Sequence, residues 1–371
     1  MSATPLAMFA VTFAALLAGY PVALTLAGVA LIFALVGVLT GAFNPGDLGF
    51  APGRLFGIVT NQTLIAVPLF VFMGVMLEKT RLAEGLLTSL AELLRSLRSG
   101  LAVTVVLVGM LMAASTGIVG ATVVTMGLMS LPSMLKQGYE PGFATGTISA
   151  TGTLGQIIPP SIALVLLGDV LSNAYQQAQL SMGIFAPKSV SVGDLFAGAI
   201  VPGLVLVGLY LVYVLAKGWL QPATMPAAAA TERAPVQWLT SLGALVPPLF
   251  LIVAVLGSIL GGLATPTEAA GVGATGAIVL ALAYRRCSWT VLREVCESTL
   301  STTAMVFFIL IGASIFSLVF RGYGGDEMVQ AWFDQMPGGT WGALAVVMLV
   351  IFLLGFILES SRKRFLITEM M

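Results

Sequence analysis

Apolar residues fill this chain in long runs that polar residues interrupt only briefly. A membrane-spanning helix takes about 20 such residues. The runs divide the chain into candidate spans at 5–40, 55–77, 100–135, 141–167, 194–217, 239–264, 268–284, 298–320 and 340–358. The first is too long for one straight helix, and Gly19-Tyr20-Pro21 is where it should kink or divide. Residues 78–98 follow another pattern. Leu82, Leu86, Leu87, Leu90, Leu93, Leu94 and Leu97 recur at helical spacing among glutamates and arginines, which predicts an amphipathic helix lying at the cytoplasmic interface. Residues 218–238 hold Pro222, Pro226, four alanines and Pro235, and read as an extended linker between residues 1–217 and a second half at 239–358.

One stretch breaks the pattern inside a span. Gly152-Thr153-Leu154-Gly155-Gln156-Ile157-Ile158-Pro159-Pro160-Ser161 sets glycines and a proline pair among apolar residues. Proline removes a backbone donor and clashes with the preceding turn, so the helix 141–167 should be broken there. In hydrocarbon the freed carbonyls need partners, so such breaks persist only against protein or a water-filled cavity. Broken helices at mid-membrane are where secondary transporters bind ions and substrates.

The basic residues set the expected topology. They cluster at Lys79 to Arg98, at Lys136, from Lys217 to Arg233 and from Arg285 to Arg293, and positive loops stay in the cytoplasm. Loops 168–193 and 321–339 then face out, the latter with Asp326, Glu327 and Asp334 against Arg321. Segment 100–135 has both ends inside, so it should be a re-entrant hairpin turning at Ala114-Ser115-Thr116-Gly117-Ile118-Val119-Gly120. The alternative is a single kinked span with Lys136 outside. The stretch Gly342 to Val350 resembles Gly100 to Val108, and by this count the two copies start on opposite sides, the signature of an inverted repeat.

Composition agrees: 58% of residues are hydrophobic and 9% charged, where a soluble globular protein carries about 25% charged residues. The chain is therefore an all-α polytopic membrane protein, with its N-terminal run retained in the membrane. A net charge of zero points to no nucleic-acid partner. There is no histidine to serve as metal ligand or proton shuttle. Cys287 and Cys296 lack zinc or haem spacing, and no P-loop is present. No catalytic constellation emerges, so neither an enzyme nor a bound cofactor is expected. A pore component would need a polar face along several spans, and the polar features are isolated breaks instead.

Two places carry candidate chemistry. Hydroxyls and carbonyls of the hairpin tip (Ser115, Thr116, Gly117, Gly120) and of the broken segment are hard oxygen donors suited to sodium. Half-helix N-termini suit a substrate carboxylate. The alternative is that these small residues only let helices pack closely. In Ala264-Thr265-Pro266-Thr267-Glu268, a threonine either caps the next helix with Glu268 in its first turn, or Thr267 and Glu268 help shape the site. Asp169 is either a buried functional carboxylate or, the favoured reading, a solvated group at a span end; Arg54 and Arg321 either attract organic anions from outside or, as is usual, are ordinary loop charges; Gly138-Tyr139-Glu140-Pro141 reads as a turn.

These residues resemble a known family. Ala66-Val67-Pro68-Leu69-Phe70-Val71-Phe72-Met73-Gly74, the tip Ala114 to Ala121, Lys136-Gln137-Gly138-Tyr139, Ile157-Ile158-Pro159-Pro160-Ser161, Asp194-Leu195-Phe196-Ala197-Gly198 with Pro202-Gly203, and Ala264-Thr265-Pro266-Thr267-Glu268 are similar to motifs of the large membrane subunit of TRAP transporters, the tripartite ATP-independent periplasmic transporters (DctM-like). The likeness runs from about residue 5 to residue 358.

The resemblance implies an elevator-type importer of organic acids such as C4-dicarboxylates, in the bacterial inner membrane, with sodium ions as coupling ions. It implies two inverted repeats, each with a re-entrant hairpin and a broken helix. Its partners would be a small four-helix membrane subunit and a periplasmic substrate-binding protein. Carried over by position, substrate would meet Ser115, Thr116, Pro160, Ser161 and Thr267. Sodium would sit among Ser115, Gly117, Gly120, Gly155, Gln156 and Pro159, largely on backbone oxygens. The chain departs from the family after Leu358. Glu359 is followed by Ser360-Ser361-Arg362-Lys363-Arg364, so the second repeat reads as incomplete and 359–371 as an aberrant basic tail. A truncated, non-transporting remnant, or another ion-coupled secondary transporter, is the competing reading.

Overall fold

The structure, a computed structural model, describes residues 3–80, 82–94, 96–116, 119–225 and 238–369; side chains are described for all of these except 82–84, 113–116, 121, 238–245, 354 and 356–369. Among the described residues every regular element is helical. The α-helices are α1 (Thr4–Leu17), α2 (Val22–Thr40), α3 (Ala51–Val59), α4 (Ala66–Lys79), α5 (Leu82–Leu93), α6 (Gly100–Thr116), α7 (Val119–Gln137), α8 (Pro141–Gly152), α9 (Ile162–Ser181), α10 (Val192–Leu220), α11 (Trp238–Leu260), α12 (Pro266–Ala283), α13 (Trp289–Gly322), α14 (Gly325–Asp334) and α15 (Gly339–Glu369). Helices α2, α10, α12 and α13 are each long and apolar enough to cross a membrane. The protein is all-α and polytopic. Its residues group into two compact units, one of Met1–Asn61 with Ala304–Met371, the other of Gln62–Thr303.

In the first unit, the run 5–40 divides where expected. Gly19 takes a φ of +92° and Pro21 caps α2. Met8, Ala30, Ala34, Phe43 and Val319 form the core, and the Tyr323 hydroxyl donates to the Phe33 carbonyl at 2.6 Å. Residues 321–339 are not the simple loop expected from sequence. Helix α14 occupies them, held by buried Met328 and an Arg321–Asp326 ion pair at 3.0 Å. Helix α15 runs on through the basic segment to Glu369, where the expected tail begins at 359.

The second unit is built on α4. Its Ala66, Val67, Val71, Met73 and Met76 are fully buried, and α12 packs along it. At Gly273 of α12 a Cβ would lie 2.6 Å from the Met73 sulfur, so glycine sets how closely these helices meet. The run 55–77 is not one helix: α3 ends at Val59, and a 3-10 turn at Thr63–Ile65 precedes α4. Helix α5 occupies Leu82–Leu93 of the helix expected over 78–98. Leu86 and Leu87 are buried in a protein core, and α5 packs on α6 and α11. The inner part of its apolar face is thus covered by protein, while of the expected face Leu90 and Leu94 are partly buried and Leu97 is exposed.

Three further boundaries move. Helix α9 continues to Ser181, so loop 168–193 shrinks to 182–191 and Asp169 lies well inside a helix, half-buried. A helix needs apolar residues only where hydrocarbon surrounds it, and α9 turns polar at Ser172, Asn173, Gln176 and Gln177 without ending. Helix α13 begins at Trp289 rather than 298, its first turns polar and laced by Arg293–Glu297 at 2.7 Å. The linker starts later than 218. Residues up to Leu220 extend α10, Pro222–Thr224 form a 3-10 turn, Met225 is buried, and the Thr224 carbonyl accepts the Glu140 N–H at 3.0 Å. Residues 226–237 of the expected linker lie outside the described residues.

Candidate functional site

Helix α8 opens on Pro141 after a turn in which Gly138 takes φ +91°. Proline suits the first helical position because its missing N–H has no partner there anyway. The helix ends at Gly152, and the chain tightens into a 3-10 turn at Thr153–Gln156. The Ile157 and Ile158 N–H groups both donate to the Leu154 carbonyl, at 3.0 and 2.9 Å. Pro159 and Pro160, joined by a cis peptide, then offer no donors. Ser161 restarts the helix. Its buried hydroxyl donates to the Gln156 carbonyl at 2.7 Å and accepts the Leu164 N–H of α9 at 3.5 Å. One side chain therefore ties both lips of the break.

The break is packed on one side and open on the other. Leu154, Gly155, Pro159, Pro160 and Ser161 are buried, while Thr153 and Gln156 are exposed. Helices α6 and α7 both pack against the Thr153–Gln156 turn. Glycine permits the approach at two points: a Cβ at Gly109 of α6 would overlap Thr151, and one at Gly152 would overlap Val123 of α7. Helix α10 closes the back, with Gly203 facing Ile158. Within ten residues the chain thus presents a helix C-terminus, partially negative, and a helix N-terminus, partially positive. The first suits a small cation and the second an anion.

The sequence-derived residues fall as follows. Gly155, Gln156, Pro159, Pro160 and Ser161 are together in the break. Ser115 and Thr116 end α6, with only their backbone described, and Gly117 lies outside the described residues. Gly120 is exposed in the first turn of α7. Thr267 stands apart on α12. Its hydroxyl donates to the Gln62 carbonyl at 2.9 Å, and the adjoining Thr63–Ile65 turn touches both α12 and α9. Thr265 and Glu268 form a capping box. The Glu268 carboxylate accepts the Thr265 N–H and hydroxyl at 2.8 and 2.9 Å, so both side chains serve the start of α12. Gln62 was not foreseen, although Thr60-Asn61-Gln62-Thr63 is a polar run inside an apolar segment, the signal of a break. Among the described residues no group of three or more acidic, cysteine or histidine side chains could hold a metal.

A cavity of about 100 Å³ lies elsewhere, between α6, α8 and α10. The Thr147 and Thr151 hydroxyls on its wall are engaged within α8, at 2.8 and 2.6 Å from the Phe143 and Thr147 carbonyls. It offers no ion a ring of oxygens, and the break remains the candidate site.

A model of the DctM component of the tripartite ATP-independent periplasmic transporters matches residues 9–371. The chain belongs to this family. The match runs through residues 359–371. The C4-dicarboxylate TRAP transporter large permease protein DctM of Pseudomonas aeruginosa is 32% identical over 86% of this chain and 70% of its own length. The sialic acid TRAP transporter large permease protein SiaM of Vibrio cholerae is 27% identical over 93% and 75%. The ectoine TRAP transporter large permease protein TeaC of Halomonas elongata is 27% identical, also over 93% and 75%. This DctM-family chain is the large permease of a TRAP transporter, a multi-pass protein of the inner membrane in a family of transport permeases. Membership implies a periplasmic binding protein as partner and, as a rule, a small membrane subunit.

Proposed function

We propose that this permease couples sodium entry to the import of an organic acid, with both bound at the break between α8 and α9. The observation that carries this reading is the pair of opposed helix ends stitched by Ser161, packed against α6 and α7 and exposed at Thr153 and Gln156. Backbone oxygens around Gly155, Gln156 and Pro159, with those of Ser115, Gly117 and Gly120, would hold sodium. The α9 N-terminus at Pro160 and Ser161, with Ser115, Thr116 and Thr267 nearby in the working protein, would hold the substrate carboxylate. The relatives are named for a dicarboxylate, a sialic acid and ectoine, so an organic acid is as fine a class as they support. The break and the α6–α7 pair lie wholly within Gln62–Thr303, which suits that unit to be the cargo-bearing part of an elevator. A periplasmic binding protein would deliver the acid, and a four-helix subunit would complete the membrane part.

The test is uptake of a radiolabelled C4-dicarboxylate, sialic acid or ectoine into proteoliposomes holding this chain and its small subunit, with the binding protein outside. Uptake that requires an inward sodium gradient supports the proposal. Equal uptake with potassium removes sodium coupling. No uptake of any substrate that the binding protein itself binds would favour the non-transporting reading.

A further inference from the structure

The cavity between α6, α8 and α10 is not explained by transport. Gly142, Gly146 and Ala150 of α8 form its floor, Val106 of α6 one wall, and Tyr210 and Tyr213 of α10 the other. Its threonine hydroxyls are already spent within α8, so the space favours an apolar occupant. Toward the start of α8 the wall holds Phe143 and Tyr213, stacked at 6.4 Å, with buried Tyr139 stacked behind Phe143 at 6.2 Å. Flat aromatic faces suit a methylene chain lying along them. The outer face of α10 beside it, with Leu209 and Val212, is exposed and apolar.

The same end carries two lysines against one carboxylate, Glu140, whose Oε1 would lie 3.7 Å from a Cβ on Gly142. Lys217 follows Tyr213 by one helical turn, so it shares that face of α10. Lys136 closes α7, three residues before Tyr139. Neither lysine makes an ion pair among the described residues. Trp219 is 83% exposed at this end, the depth at which tryptophan anchors helices in headgroups. Both lysines belong to clusters that the positive-inside rule puts at the cytoplasmic leaflet, which is anionic.

We propose that this groove holds one acyl chain of an anionic phospholipid of the cytoplasmic leaflet, its phosphate held by Lys136 and Lys217. The cavity grips a short length of chain, and the remainder lies along α10. The charge of the lysines selects the headgroup, and the shape of the groove selects a lipid over a free phosphate.

The full chain in neutral detergent, titrated with phosphatidylglycerol and with phosphatidylcholine of the same acyl chains and read by native mass spectrometry, tests this. One phosphatidylglycerol should be retained about tenfold more tightly than phosphatidylcholine. Glycerol phosphate should not compete. Nothing lies within 4 Å of a Cβ placed on Gly146, so the side chain of Gly146→Leu starts in open space, should fill the groove, and should lose the retained lipid of either kind. The Lys136→Gln/Lys217→Gln double variant should keep a lipid and lose the headgroup preference. Retention by Gly146→Leu equal to the parent's, an unchanged preference in the lysine variant, or full competition by glycerol phosphate would each overturn the proposal. If Gly146→Leu fails to fold, Tyr213→Ala removes a half-exposed wall instead, and unchanged retention there overturns it equally.

Discussion

Two proline pairs sit in two apolar helices of this protein, with opposite results. Pro159-Pro160 marks a true interruption between α8 and α9, whereas Pro247-Pro248 lies inside α11, which runs unbroken from Trp238 to Leu260. Proline alone therefore does not break a helix here. Each proline in α11 removes one N–H, leaving two carbonyls a turn earlier short of a donor, and the helix bears that loss. At the first pair the surroundings act in the same direction as the prolines. Gly152 and Gly155 weaken the helix before them, the 3-10 turn tightens it, and Ser161 supplies a cap for a new helix. A break needs a stop and a start together.

That contrast can be tested, beginning with the largest effect. Gly152→Leu should push α7 off the break, because even a Cβ there overlaps Val123; overpacking costs about 1–3 kcal/mol, and uptake should vanish with a clear drop in melting temperature. Gly257→Leu in α11, where a Cβ meets nothing within 4 Å, is the matched control and should leave uptake unchanged without lowering the melting temperature. Next, replacing Pro159 and Pro160 together by alanine should lower uptake about tenfold, an effect of about 1.4 kcal/mol. The same exchange at Pro247 and Pro248 should leave uptake within about twofold and raise the melting temperature, since interior proline costs a helix about 3 kcal/mol. If both pairs behave alike, the surroundings do not decide which proline pair breaks its helix.

Smaller effects sharpen it. Ser161→Ala removes the cap and the bond to the Gln156 carbonyl, and should cost about 1 kcal/mol of stability; a fall in uptake beyond that loss, with Ser161→Thr restoring it, would separate site from scaffold. Lys79→Gln removes an ion pair to Glu294 at 3.1 Å whose side chains are 38% and 49% exposed. Exposed pairs contribute about 1 kcal/mol or less, so its melting temperature should approach the parent's in high salt.

The break was legible because glycine, proline and serine act through their own backbone chemistry, which a sequence carries directly. The apolar runs were legible because a helix that crosses hydrocarbon must be long and apolar. What neighbours decide was not legible. The continuity of α11 through its prolines, the covering of Leu86 and Leu87 by protein, and the interruption before Thr63 all depend on what packs alongside. Likewise Thr265 and Glu268 carried two readings in sequence, and only the bond lengths show them joined to each other. The roles of Ser115, Thr116 and Gly117 are carried by resemblance alone, since Gly117 and the side chains of the other two lie outside what the structure describes.

The packing of α4 against α12 also has a temporal side. The hydroxyl of Thr267 reaches the carbonyl of Gln62 across 205 positions of sequence. During synthesis α4 enters the membrane long before α12 leaves the ribosome. For that interval the face of α4 that α12 covers, with Met73 opposite Gly273, lacks that partner, although α5, α6 and α9 also pack on α4. The nascent permease must therefore hold α4 against lipid or the insertion machinery, and any ribosomal stall before α12 would leave a fragment with that face bare for quality-control proteases to find.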